Sequence, residues 1–239
     1  MGFVSVSRTH VGCRRKINED AVLVLADLGL WAVADGMGGH DAGEVASALV
    51  VERLAAGAAD GDLTARAAAA RGGVLDAHAE LVAIGQAAGG GRTIGSTVVA
   101  MVADADAFVC LWAGDSRAYL ARGGVLVQLT RDHSLVQELV DAGELDPAEA
   151  ASHPNANVIT RAVGAGAALA IDSVDGDIRP GDVFLLASDG LTRLIGEAEL
   201  LTALSAADLE AEADRLIETC LARGAPDNVS LVIVRAGVG

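Results

Sequence analysis

Tryptophan, tyrosine and phenylalanine together make up only 3% of this 239-residue sequence, while hydrophobic residues reach 52%. Aromatic rings therefore cannot fill the interior, and a core must be built mainly from Ala, Val and Leu. Cysteine is scarce as well. Cys13, Cys110 and Cys220 are odd in number, far apart and without C-x-x-C spacing, which argues against a disulfide framework or a structural zinc site and leaves them to be read as small buried hydrophobes. No Pro-, Ser- or charge-rich stretch marks a linker, so one domain over residues 1–239 is the simpler reading. No charged-then-apolar leader opens the chain, and its apolar runs are shorter than about 18 residues or broken by Asp, Arg or Gly. The expectation is a cytoplasmic protein with no membrane partner. Basic residues are the last shortage: 17 Lys and Arg stand against 33 Asp and Glu, for a net charge of −16. That balance repels nucleic acid and anionic lipid, and most of the acidity reads as a solvated surface.

Apolar runs at 21–25 and 30–34 predict two short strands joined at Asp27 to Gly29, the second apolar enough to be buried on both faces. Residues 41–58 and 64–87 are Ala-rich with apolar spacings of three and four, predicting helices that end before Gly89 to Gly91. Runs at 97–103, 107–112, 117–121 and 125–129, separated by short turns, predict an antiparallel meander, because a parallel crossover needs a dozen residues or more. Helices are expected at 134–142, 147–151, 197–204 and 208–222, a polar loop at 152–157, and strands at 183–187 and 229–235. Helices cluster in blocks rather than alternating with strands, which favours an α+β class.

Four aspartates stand where strand-like runs end or begin: Asp35, Asp115, Asp189 and Asp227. If the fold gathers these ends, the chain holds a carboxylate cup. At an effective dielectric near 20 and about 5 Å, each ionised pair repels by roughly 3 kcal/mol, so several such pairs rival the stability of a domain, and a bound divalent cation would relieve the conflict. Asp35-Gly36 and Asp189-Gly190 also read as ordinary turn dipeptides. An oxygen-only donor set suits magnesium or manganese rather than zinc.

Eight motifs then fall in one order: GCRRKINED at 12–20, ADGMGGH at 34–40, GST at 95–97, GDSRAY at 114–119, LTRDHS at 129–134, ITRAVG at 159–164, ASDG at 187–190 and PDNVS at 226–230. On these the chain resembles the metal-dependent protein phosphatases of type 2C, in their bacterial serine/threonine form. The wording around residues 10–40 is similar to phosphatases associated with type VI secretion clusters. The resemblance implies a four-layer α-β-β-α sandwich with two central antiparallel sheets, a flap at about 134–160, and two core manganese or magnesium ions with a third in bacterial members. It gives Asp35 as the bridging ligand, the Gly36 carbonyl on one ion, Asp189 and Asp227 on the other, and Asp115 with Asp189 on the third. Glu19 and Asp20 would act through water, with Asn228 beside them. Arg15 would grip the phosphate, since a guanidinium fork suits two phosphate oxygens.

The implied activity is hydrolysis of phosphoserine and phosphothreonine by a metal-activated water, opposing a cognate Ser/Thr kinase, by a monomer. His40 is a candidate for a substrate or acid role or for capping the following helix. His133 reads as structural, His153 falls in the flap, and His10 and His78 have no motif. Ser116 lacks the G-x-S-x-G elbow of a nucleophile and reads as a turn or hydrogen-bond donor. Two rival readings are a phosphoesterase for small phosphorylated molecules and an inactive regulatory module that binds phosphoproteins.

Overall fold

Strands written LWAVA at 30–34 and VVAMVA at 98–103 are apolar at every position, so each must bury both faces, and successive side chains must serve two different cores. The computed structural model, which describes residues 2–38, 42–87 and 94–237, meets that demand with stacked layers. Strands β1 (Phe3–His10), β2 (Asp20–Leu25), β3 (Leu30–Met37), β4 (Gly95–Ser96), β5 (Val98–Ala103), β6 (Ala107–Ala113), β7 (Arg117–Arg122), β8 (Val125–Gln128), β9 (Asp172–Asp177), β10 (Val183–Ala187) and β11 (Val229–Ala236) form two sheets. One runs β1-β11-β10-β7-β8, the other β2-β3-β5-β6-β9, with β4 beside β3. The paired strands are antiparallel in both.

Three apolar clusters fill the three spaces between four layers. Trp31, Val33, Val99 and Met101 of one sheet meet Phe184, Leu186, Val232 and Val234 of the other in the middle. The alternate residues Leu30, Ala32, Ala34, Ala100 and Val102 pack under α1 (Ala42–Gly57) and α2 (Leu63–Ala87). Leu185, Ala187, Leu231 and Ile233 pack under α5 (Glu197–Leu204) and α6 (Leu209–Ala222). The expected four-layer α-β-β-α sandwich is therefore the observed fold.

Small residues make up for the shortage of rings. A Cβ on Gly73 of α2 would lie 2.7 Å from the Arg53 carbonyl oxygen of α1, so glycine lets the two helix backbones approach closely. The few aromatics sit at chosen points: Phe108 and Phe184 meet edge to face between the sheets, with centroids 5.0 Å apart. Phe108→Leu keeps the site apolar but forfeits that ring pair, and should lower unfolding free energy by about 1 to 2 kcal/mol, as read by urea denaturation.

Several sequence expectations change. The stretch 97–129 is not one meander: β5 pairs β6 in one sheet and β7 pairs β8 in the other, and the chain crosses between sheets at Gly114 to Ser116. Gly114 takes φ +115°, and a Cβ there would meet Thr97 at 2.6 Å, so the crossing needs glycine. Pro147–Ser152 is a 3-10 helix, capped by the Asp146 carboxylate, rather than an α-helix. Strands β1 and β9 and the short helix α4 (Asp189–Thr192) went unforeseen. Cys110 and Cys220 are buried as expected, but Cys13 is exposed in the loop before β2. The glycine run 89–91 and His40 lie outside the described residues. Among the described residues, no helix is long and apolar enough to cross a membrane.

Candidate metal centre

Antiparallel pairing places the relevant strand ends at one edge of the sandwich. Asp20, which opens β2, is paired in register with Asp35 near the end of β3. Asp189 follows the end of β10, Asp227 precedes β11, and Asp115 sits in the crossing from β6 to β7. The four predicted acids and Asp20 thus come into one electrostatic field, and each backbone is pinned. Thr97 accepts from the Asp35 N–H at 3.1 Å through its hydroxyl, while its own N–H donates to the Asp35 carbonyl at 2.8 Å. The Ser188 hydroxyl donates to Asp20 Oδ2 at 2.9 Å and accepts from the Ser230 N–H at 3.0 Å. Asn228 ties three segments together: its Oδ1 accepts from the Glu19 N–H at 2.8 Å and its Nδ2 donates to the Val11 and Ile17 carbonyls. Gly36 is packed so tightly that a Cβ would lie 2.0 Å from the Gly43 carbonyl oxygen and 2.6 Å from that of Glu19.

Crowding these acids raises their proton affinity. Burial pushes the Asp35 carboxyl well above its usual range, and the charges of Asp20, Asp189, Asp115 and Asp227 add to the rise. Asp20 is pushed up to about 7, by burial first and then by Asp189 and Asp227, against the hydrogen bonds from Ser230 and Ser188. Asp115 is likewise pushed up to about 7 by burial and by Asp189 and Asp132. Asp189 moves up through burial and Asp227, with Arg193 and a hydrogen bond from Asp35 opposing. Each buried carboxylate thus raises the proton affinity of the next, because like charges at close quarters disfavour the ionised form.

Two guanidinium groups complete the balance. Arg15 Nη2 donates to Asp227 Oδ2 at 2.8 Å, with Nη1 3.8 Å from Glu19 Oε2. Arg193 Nη2 lies 2.7 Å from Asp189 Oδ2 and 3.4 Å from Asp115 Oδ2. Among the described residues no three acidic, histidine or cysteine side chains form a ready ligand group; Asp227, Asp189 and Asp115 are instead paired with the two arginines. Two buried oxygens, Asp20 Oδ1 and Asp115 Oδ1, have no hydrogen-bond partner. An oxygen-only donor set, mutual repulsion and orphaned carboxylate oxygens together fit hard divalent cations.

The neighbouring residues divide clearly. Ser116 is fully buried and hydrogen-bonded to the Thr97 hydroxyl at 2.7 Å, so it faces no substrate. His133 Nδ1 accepts from the Gly114 N–H at 3.0 Å, which puts the ring proton on Nε2. That proton donates to Asp172 Oδ2 at 3.1 Å, and Arg161 pairs with Asp172 Oδ1 at 2.7 Å. The ring also stacks on Trp112, and burial lowers its proton affinity. His133 therefore braces the sheet crossing that carries Asp115. His10, His78 and His153 each accept from a nearby backbone N–H, and Arg14 is an exposed charge. Sequence reasoning missed Thr97, Ser188, Ser230, Asp172 and Arg193. Thr97, Ser188 and Ser230 stand within the motifs at 95–97, 187–190 and 226–230, but single hydroxyls, an edge-strand acid and one more arginine carry no spacing signal of their own.

Comparison with known proteins bears on this geometry. The family model described as Protein phosphatase 2C matches residues 13–230. The serine/threonine protein phosphatase PstP of Mycobacterium tuberculosis is 40% identical over 231 residues, covering 95% of this chain, and the chain spans 44% of that relative's length. The solved structure of PppA, described as a key regulatory component of the type VI secretion system in Pseudomonas aeruginosa, superposes with TM-score 0.92 at 43% identity and covers 98% of each chain. A catalytic domain of PstP in complex with two manganese ions superposes with TM-score 0.84 at 36% identity, over 98% of this chain and 97% of that one. With more than nine-tenths of its length matched, its eight motifs in order and its acids gathered at one sheet edge, the chain belongs to the protein phosphatase 2C family.

Proposed function

We propose that this chain is a metal-dependent serine/threonine protein phosphatase, a cytoplasmic monomer that hydrolyses phosphoserine and phosphothreonine with a metal-activated water and opposes a Ser/Thr kinase. The observation that carries the reading is the meeting of Asp20, Asp35, Asp115, Asp189 and Asp227 in one field, with the Arg15 guanidinium beside it. Asp35, the Gly36 carbonyl, Asp189 and Asp227 would hold two manganese or magnesium ions, and Asp115 with Asp189 a third. Glu19 and Asp20 would act through intervening water. When bound, such ions supply Lewis-acid charge for the phosphoryl oxygens and make solvent a competent nucleophile near neutral pH. The two manganese ions of the PstP catalytic domain support the core pair. The likeness to PppA supports substrates among phosphoproteins that control type VI secretion.

The chain's own residues position the reaction. Thr97 and Ser96 fix the Asp35 main chain, Ser188 aims Asp20, and Asn228 holds the loop that carries Arg15 and Glu19. Arg15 is neutralised by Asp227. Once Asp227 turns to a cation, its guanidinium fork is free to take two phosphate oxygens, a geometry lysine cannot copy. Arg15→Ala should therefore raise KM for a phosphothreonine peptide about tenfold or more, with a smaller change in kcat. Arg15→Lys should recover only part of the loss, as steady-state kinetics would show.

The reading itself is tested by phosphate release from phosphothreonine and phosphotyrosine peptides in manganese, magnesium or chelator. Turnover of the phosphothreonine peptide with manganese and none with chelator is expected. An aryl phosphate cleaved faster than the phosphothreonine peptide would point instead to a small-molecule phosphoesterase. No metal-dependent turnover at all would leave an inert binding module.

A further inference from the structure

Arg193 lies in no motif that marks the family resemblance, yet it holds the third-ion carboxylates. It stands just past the end of α4, one helical turn after Asp189, and its backbone N–H donates to the Asp189 carbonyl at 2.9 Å. From there Nη2 reaches Oδ2 of both Asp189 and Asp115. Its other terminal nitrogen, Nη1, donates to Asn157 Oδ1. Asn157 belongs to the loop after the 3-10 helix Pro147–Ser152 and, with Arg193, lines a cleft of about 530 Å³. Asp115, Asp189 and Arg193 line that cleft together with Gln137, Pro147 and Asn157. One side chain therefore joins the acidic pair to the covering segment, α3 (Leu135–Asp141) through Asn157.

The joint is built to be displaced. Arg193 remains 40% exposed, so water screens its ion pairs and the side chain can swing out at modest cost. It satisfies only Asp115 Oδ2. Oδ1 of that carboxylate, whose side chain is only 5% exposed, is left with no hydrogen-bond partner. A divalent ion seated between Asp115 and Asp189 would lie beside the guanidinium that holds their Oδ2 atoms, and the two cations would repel each other at that distance.

We propose that Arg193 is a resident competitor of the third cation and reports its arrival to the covering segment: an ion seated on Asp115 and Asp189 expels the guanidinium, which releases Asn157 and frees the segment that roofs the cleft. The proposal rests on the reading of these acids as metal ligands. Competition sets the apparent affinity: if the arginine sits on the carboxylates about nine-tenths of the time, the third ion binds about tenfold more weakly than to the bare pair.

The test is manganese binding by isothermal titration, together with hydrogen–deuterium exchange of residues 143–158, on the whole chain and on Arg193→Gln, Asn157→Ala and Asp115→Ala. In the unaltered chain we expect two tight ions and one weaker one, with exchange in 143–158 rising as the weaker site fills. Arg193→Gln should tighten the weak site about tenfold and leave the tight pair alone. Asn157→Ala should raise exchange in 143–158 before any manganese is added and remove its dependence on the weak site. Asp115→Ala should delete the weak site only. A weak site unchanged or loosened in Arg193→Gln would overturn the competitor role, as would exchange in the unaltered chain indifferent to manganese. In either case two tight ions would leave the phosphatase reading standing. Absence of any tight manganese would end both.

Discussion

Asp35→Asn should reduce manganese-dependent turnover of a phosphothreonine peptide by at least about a thousandfold, a loss of about 4 kcal/mol in transition-state stabilisation. Asp35 is the acid on which all four of its acidic neighbours press, and it stands at the centre of the proposed ligand set. Asparagine keeps the shape and leaves the backbone bonds with Thr97 intact, so the variant should fold. Its amide, however, carries no charge with which to hold two cations. The same change removes a repulsive carboxylate from the cluster. In chelator, therefore, Asp35→Asn should melt no lower than the unaltered chain. Kinetics and calorimetry on one preparation check both arms. A kcat within tenfold of the original would remove Asp35 from the centre of the chemistry, and a lower melting point in chelator would deny that the acids oppose one another.

Manganese itself should produce the second large effect. A ligand at a hundred times its dissociation constant stabilises the folded state by about 2.7 kcal/mol per site, so two core sites contribute about 5 kcal/mol. A domain of this size gains about 2 to 4 °C per kcal/mol, which predicts a rise of about 10 to 20 °C in melting temperature between chelator and saturating manganese. The pull of Arg15 on Asp227 and of Arg193 on Asp189 must be given up as ions bind. Because both arginines are partly exposed, that loss is modest. Scanning calorimetry measures the difference directly. A shift below about 3 °C would mean that the acids do not act together on a cation.

The acids were legible in the sequence because each stands at the boundary of an apolar run, and a buried strand must end at a sheet edge. Asp35 after WAVA and Asp189 after VFLLAS carry that signal in their own neighbourhoods. What joins them is not local. The turn at Gly114 to Ser116 looks like any hairpin link, and only the need to bury both faces of β6 and β7 in different layers sends the chain across to the second sheet. Strand β9, written DSVDGD, escaped because it lies at an edge and pairs with β6 through its backbone while exposing most of its side chains. Strand β1 did carry an alternating V-S-V-S signal, which the neighbouring polar residues obscured. Arg193 owes its place to the approach of separate segments, which nothing in its immediate sequence announces, and Ser188, though inside the ASDG motif, finds its partner in Asp20, 168 residues away.

The pairing of β1 with β11 has a consequence for biogenesis. Phe3 to His10 remain without their strand partner until Val229 to Ala236 have emerged from the ribosome, and Asn228, which clasps the loop of Arg15 and Glu19, arrives just ahead of that strand. A nascent chain halted before this point lacks Asp227 as well as the clasp. The centre therefore assembles late in synthesis, through contacts more than 200 residues apart, the kind of closure that folds slowly.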